Sequence, residues 1–448
     1  MGIKFLRTLL TALCVMSIKH FSSIQDFMIN EKNRLYREYI TKHNVNNPIK
    51  QMQIREQIQN KPYFIGIDAY LFAFIYKRVF KRIELGFMRQ ILLTLSAGMI
   101  PIYVFDGSSP EQKKKTVRTR QSKKQKLREK LENFVFSNDS TKPEYLSKLS
   151  INDITNHINN MYTKLDHFDN SSGGSSDEAD GYAVGPYNHT EDNLLFYNLS
   201  ISDEEYKEFV KLSKKCISVD YRDIQNLKKF LDLLKIPHIT AEHEADDLMA
   251  YMYKKNIIQA CQSNDMDMLP KGCGNVIHIE KNGVYQYILE DILTELKMKH
   301  DQFVDLCILL GSDYGNNYLS KLKSRDLYDM YINLSNPSIE SFVQYYSTID
   351  PAISLHLQEY QDVRRMFISS HEPTNDDKID CNLAPIRIDT IIEYFGNMDI
   401  HINDKYVRKM KNMVKNINDF IMNNQSISSP IPCPTNLACN VSCYLFHK

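Results

Sequence analysis

Two short apolar runs, each closed by an aspartate, set the strongest limit on what this chain can fold into. They are Pro62-Tyr-Phe-Ile-Gly-Ile-Asp68 and Ile100-Pro-Ile-Tyr-Val-Phe-Asp106. Each is too short for a buried helix and too uniformly apolar for a half-exposed strand, so each suits a buried parallel strand. Residues 69–97 between them read as helix. Further on, a helix from about Arg222 to Leu234 is followed by a short strand, Pro237 to Thr240. Then come Ala241-Glu-His-Glu-Ala-Asp-Asp247, opening another helix, and a strand Ile257 to Cys261 leading into Ser263-Asn-Asp-Met-Asp267. Residues 275–288 read as a hairpin turning at Asn282-Gly283. An apolar helix, Phe303 to Leu310, runs into Gly311-Ser-Asp-Tyr314. Residues 1–21 read as a helix, 22–60 as a polar, mostly helical segment, and the chain beyond 330 as mostly helical. Strands alternating with helices predict an α/β fold with a mostly parallel sheet.

The acids follow from that architecture. In open α/β sheets, ligands bind at the carboxyl ends of the strands. Asp68, Asp106 and the pair Asp265 and Asp267 end three strands. Glu244 and Asp246 follow a fourth, and Asp313 follows an apolar helix. Each has an ordinary local explanation: a turn before Gly107, a first helical turn that favours acids, a polar loop. Together they ask for another reason, because carboxylates brought to one edge repel one another at low dielectric. Cations relieve that repulsion, and oxygen ligands without His or Cys select Mg²⁺ or Mn²⁺. These carboxylates exceed what one octahedral ion needs, so two ions are expected. Such ions about 4 Å apart would clamp a phosphodiester for in-line hydrolysis.

Residues 113–130 hold ten Lys or Arg and one acid, with only Val117 and Leu127 clearly apolar. That is too narrow a stripe for a core-facing helix. The helix begins seven residues after Asp106, at the mouth of the acid edge, where it would hold a polyanion. Residues 165–206 hold ten acids and no Lys or Arg, around Ser171-Ser-Gly-Gly-Ser-Ser176, and read as a flexible insertion. The equal totals of 55 basic and 55 acidic residues are therefore a cancellation of sorted charge. They do not exclude nucleic acid.

Gly66-Ile-Asp-Ala69, Phe105-Asp-Gly107, Glu244-Ala-Asp246, Asp265-Met-Asp267 and Leu310-Gly-Ser-Asp-Tyr314 resemble, in order and register, the motifs of the flap endonuclease superfamily of structure-specific 5′ nucleases. The resemblance covers residues 1 to about 315, interrupted around 22–60 and 140–205. It implies a PIN-like nuclease core with a helical arch and a helical C-terminal region. It implies that Asp68, Asp106, Glu244 and Asp246 serve mainly one metal, and Asp265, Asp267 and Asp313 mainly the other. Lys113 and Arg120 fall where the family places arch cations that contact the scissile phosphate. Gly2 falls near the family's active site, and Phe74 where a ring stacks on the terminal base. Lys114, Lys115, Arg118, Lys123 and Lys124 complete the expected DNA contacts. The expected division is 1–135, with the helical insertion 22–60 and the arch 113–130; then 136–205, 206–330 and 331–448.

The implied activity is Mg²⁺-dependent cleavage of DNA with 5′ flaps, gaps or ends, in replication, recombination and double-strand break repair. The composition and insertions are most similar to poxvirus members of the family, which implies viral replication partners and the host cytoplasm. Ser320 and Leu322 stand where cellular members carry glycines that grip duplex DNA. A nuclease-fold scaffold and an RNA-cutting relative are the rival readings. No clamp-binding motif is found.

Other features carry less. Leu9 to Ile18 is about half the length of a membrane span, and no small-x-small cleavage site follows it. Nine scattered cysteines suit a reducing compartment. Cys433, Cys439, Cys443 and His447 lack the usual knuckle spacing of a zinc site. His243 reads as a helix-start surface histidine, and Asp247 as either a further cluster member or a cap.

Overall fold

The computed structural model describes residues 6–13, 15–80, 82–108, 113–136, 212, 215–280, 283–368, 383–398, 400, 402 and 404–425. Gly2, the acidic insertion and the Cys433 to His447 group lie outside these, as do the side chains of Lys114 and Lys115.

Seven strands form one sheet: β1 (Lys19–Phe21), β2 (Tyr63–Asp68), β3 (Met99–Phe105), β4 (His238–Thr240), β5 (Ala260–Gln262), β6 (Asn275–Glu280) and β7 (Gly283–Ile288). Their order across the sheet is β1-β7-β6-β5-β2-β3-β4. The five strands from β6 to β4 are parallel, and β7 and β1 add antiparallel pairings at one edge. The α/β expectation holds, with a mixed edge. The chain runs outward from β2 to β3 and β4, then returns to the other side of β2 as β5. The switch point therefore lies between β2 and β5; Asp68 ends β2 and Asp265 follows β5.

β3 is buried throughout, and only Asp68 of β2 escapes full burial. This is why both read as unbroken apolar runs rather than alternating ones. The helices Leu6–Ala12 (α1), Ile24–Lys42 (α2), Pro48–Asn60 (α3), Ala69–Lys77 (α4), Ile83–Ser96 (α5) and Lys114–Phe136 (α6) belong to the first half. The reading of 1–21 as one helix is corrected. α1 stops at Ala12, and Lys19–Phe21 pairs with Val284–Gln286 as an edge strand. Three residues are too few for a period to appear, and only the partner strand defines them.

The 22–60 segment is helical as read, but α2 is part of the core. Phe27 and Met28 are buried. Glu31, fully buried, accepts hydrogen bonds from Arg34 (2.6 Å), Tyr63 Oη (3.1 Å), Asn275 Nδ2 (2.9 Å) and Gln286 Nε2 (2.9 Å). One carboxylate thus ties α2 to β2, β6 and β7, and its desolvation is offset by an ion pair and three further donors.

His278 in β6 is 1% exposed, lies against the Tyr287 ring, and neither ring nitrogen has a hydrogen-bond partner. Burial, with Arg7 adding repulsion, pushes its pKa down to about 4. The unfolded chain takes up this proton first, so the stability it confers is complete above about pH 6.5 and is lost as pH falls toward 4. Between pH 7 and 4.5 this one group should cost about 2–3 kcal/mol. His278→Phe should narrow the gap between urea midpoints at those two pH values; an unchanged gap would refute the assignment.

Candidate metal and nucleic-acid site

The acids meet where the sheet geometry directs them. Asp68 ends β2 and caps α4, its Oδ1 accepting the Leu71 N–H at 3.0 Å. Asp106, exposed just past β3, accepts the Ala245 N–H at 2.8 Å. Gly107 makes that approach possible, since a Cβ there would lie 2.1 Å from the Ala241 carbonyl oxygen. Helix α7 spans Tyr221–Leu233, and the next helix, α8, spans Ala245–Lys254. Glu244 is the α8 N-cap and Asp246 lies in its first turn. Asp265 follows β5, and its side chain accepts the Asp267 N–H at 3.1 Å. Asp313 follows Gly311, whose φ of +104° ends the helix His300–Leu310. A side chain at 311 would also strike Asn317.

The electrostatics show the convergence. Burial, then Asp246 and Asp106, push the Asp68 carboxyl well above the ordinary range. Burial and the Asp265 carboxylate do the same to Asp267, with Asp246 and Asp313 adding to it. Asp246 is pushed up to about 7, by burial and by Asp265 and Asp106, against the pull of Lys271 and Lys113. Asp246 Oδ1 is buried with no hydrogen-bond partner.

Three cations balance part of this charge. Lys113 Nζ lies 2.5 Å from Glu244 Oε1, Arg120 pairs with Asp313, and Lys271 Nζ lies 2.7 Å from Asp247 Oδ1 and 3.4 Å from Glu244 Oε2. The Tyr314 hydroxyl also donates to Glu244 Oε2. Burial alone would raise the Glu244 carboxyl, but Lys271 and Lys113 hold it below the ordinary range. Among the described residues no three Asp, Glu, His or Cys side chains close to metal-ligand spacing. Glu244 and Asp313 are each paired with a cation, Lys113 and Arg120. The donor chemistry nevertheless fits a hard divalent ion. It is all oxygen, mutually repelling, and leaves one buried carboxylate oxygen unsatisfied.

The basic run forms α6, and no described side chain between 117 and 130 is fully buried. Arg118 and Lys123 are exposed. Lys124 donates to the Ile217 carbonyl at 2.9 Å and lies 5.9 Å from the Phe74 ring centroid. Phe74 is 38% exposed, so one face remains available beside a cation. His243 lies 3.0 Å from Ser108 Oγ through Nδ1. Ser320 is exposed, and Leu322 packs partly on the core in the turn before Ser324–Ile332.

Sequence reasoning missed Lys271 and the Tyr314 hydroxyl as members of the site, and left Asp247 open. The structure pairs Asp247 with Lys271. A lysine four residues beyond Asp267 carries no sequence signal of burial. Only the return of the turn after Asp267 toward α8 brings it to the acids.

An acid-lined strand edge beneath a basic helix offers oxygen donors of the kind a hard divalent ion takes and cations of the kind a polyanion takes. Comparison with known proteins shows what the chain is similar to. Residues 235–313 match the XPG I-region. A probable RAD2-like endonuclease of Invertebrate iridescent virus 6 is 26% identical over 293 residues, covering 62% of this chain and 60% of that protein. Flap endonuclease 1 of Leishmania major is 32% identical over 190 residues, covering 41% and 46%. Among solved structures, the flap endonuclease-1 of Methanococcus jannaschii is 18% identical, covers 82% of this chain and 95% of its own, and gives a TM-score of 0.46. Residues 235–313 and the two curated relatives carry the same resemblance to the flap endonuclease superfamily as the five motifs. The chain spans 60% or less of the length of these two curated relatives.

Proposed function

We propose that this chain is a divalent-metal-dependent, structure-specific DNA nuclease that cuts 5′ flaps, gapped duplex or 5′ ends. The observation that carries this reading is the unsatisfied Asp246 Oδ1 among carboxylates from separate strand ends, with Lys113 and Arg120 of the basic helix reaching into them. Asp68, Asp106, Glu244 and Asp246 would hold one Mg²⁺ or Mn²⁺, and Asp265, Asp267 and Asp313 a second. Bound there, such ions would supply Lewis acidity and activate water for attack at neutral pH.

The chain's own residues do the rest. Lys113 and Arg120 now neutralise Glu244 and Asp313. A phosphodiester entering the site competes for the same cations, so their guanidinium and ammonium groups transfer to its oxygens and orient it. Phe74, with Lys124 beside it, offers a stacking face to an unpaired base. The exposed cations of α6 track the strand. Action in viral DNA replication and repair in the host cytoplasm, alongside replication proteins, belongs to the same proposal and rests on the family resemblance alone.

The test is cleavage of end-labelled 5′-flap, gapped, single-stranded DNA and RNA substrates with Mg²⁺ or with EDTA. Cleavage of flap or gapped DNA that stops in EDTA is the expected result. Cleavage that persists in EDTA would sink the metal reading. Absence of any cleavage would leave a nuclease-fold scaffold, and preference for RNA would replace the substrate.

A further inference from the structure

Lys271 is 4% exposed in the turn that follows Met266–Met268, where its backbone N–H bonds the Asp267 carbonyl at 3.1 Å. Its ammonium is placed among the acids of α8: 2.7 Å from Asp247 Oδ1, 3.4 Å from Glu244 Oε2 and 4.0 Å from Asp246 Oδ2. It also lies 5.5 Å from the Tyr314 ring centroid, while Lys113 lies 5.4 Å from the same centroid. Glu244 is therefore held from two sides. Lys113, just before the basic helix, takes Oε1; Lys271 and the Tyr314 hydroxyl take Oε2.

The two lysines differ in what can move them. Lys113 immediately precedes the basic helix, and its side chain is 23% exposed. A polyanion can draw it away. Lys271 is 3% exposed at the side chain and anchored behind the carboxylates, so it stays. Taking it out into water would leave the half-buried Asp247 and one oxygen of the buried Glu244 without that counter-charge.

We infer that Lys271 is a resident cation of the acid site: a positioning residue that fixes Glu244 and Asp247 and sets how tightly the site takes a divalent ion. It does so by cancelling one carboxylate charge permanently, so that the remaining acids hold an ion firmly enough to bind it and loosely enough to exchange it. This rests on the metal-site reading above. It adds that Asp247 belongs to the site as the lysine's partner and not as a metal ligand.

The test is titration of the full-length chain with Mn²⁺ alone, followed by calorimetry or by the spin signal of free ion. Lys271→Met removes a fixed positive charge a few ångströms from the ligands and should tighten Mn²⁺ binding about tenfold or more. Asp247→Asn leaves the lysine uncompensated and should weaken binding by a similar factor. The double variant, which removes a neutral pair, should return close to the wild-type affinity. A lysine that only fills space would give no opposing signs and no restoration. Unchanged or weaker Mn²⁺ binding in Lys271→Met overturns the inference. If that variant does not fold, unchanged binding in Asp247→Asn overturns it instead. If the wild-type chain binds no Mn²⁺, the metal-site reading itself fails, and this inference with it.

Discussion

Asp246→Asn should abolish most of the cleavage and at the same time stabilise the metal-free protein. The two effects share one cause. Asp246 is pushed up to about 7 because burial and the neighbouring Asp265 and Asp106 carboxylates oppose its charge. A folded-state value above the unfolded one of about 3.9 means that the native chain binds this proton more tightly. Its contribution is fully present at low pH and is lost as pH rises through the carboxyl range toward 7. An amide has the same shape and no charge, so the neutral-pH penalty disappears. The metal-free melting temperature should rise by several degrees at pH 7.5 and little at pH 4.5. A bound ion relieves the same penalty in the wild type. Mg²⁺ should therefore stabilise the wild-type chain much more than the variant. Loss of one ligand weakens charge stabilisation by several kcal/mol, which corresponds to about a thousandfold in rate. A variant that melts lower than wild type without metal at pH 7.5, or that cleaves at the wild-type rate, would show that Asp246 is not a strained ligand.

The paired substitution Lys113→Ala with Arg120→Ala should separate cleavage from metal binding. Both side chains are engaged with proposed metal ligands, Glu244 and Asp313. In the proposed reaction they leave those acids for the phosphodiester. Their removal should slow cleavage about a hundredfold to a thousandfold, the usual consequence of losing charge stabilisation at a reacting oxygen. It should not weaken Mn²⁺ binding, because the acids then lose a competitor. Single-turnover cleavage and Mn²⁺ titration of the same preparation measure both. Cleavage at the wild-type rate would remove these residues from the reaction. A large loss of Mn²⁺ affinity would mean that they position the ligands instead.

These outcomes depend on features that differ in how far the sequence reveals them. The strands ending at Asp68 and Phe105 were legible because burial on both faces leaves an unbroken apolar run. The acids were legible because each stands at a strand or helix end. The basic helix was legible because a run with so few apolar residues has nothing to bury. The strand Lys19–Phe21 was not, since its conformation is imposed by β7 across the sheet edge. Nor was Glu31, an acid in a polar helix whose burial depends on Tyr63, Asn275 and Gln286 arriving from three strands.

By itself, the sequence determined the α/β order, the mostly parallel sheet and the placing of acids at strand and helix ends, because local periodicity and strand-end position are written residue by residue. Tertiary structure alone decided which charges face one another. It placed Lys271 behind Glu244, set Lys113 and Arg120 against the acids, and left Asp246 Oδ1 unpaired. The reason is that charge compensation acts through space at a few ångströms. The partners here lie from 24 to 193 residues apart, and no local pattern encodes their meeting.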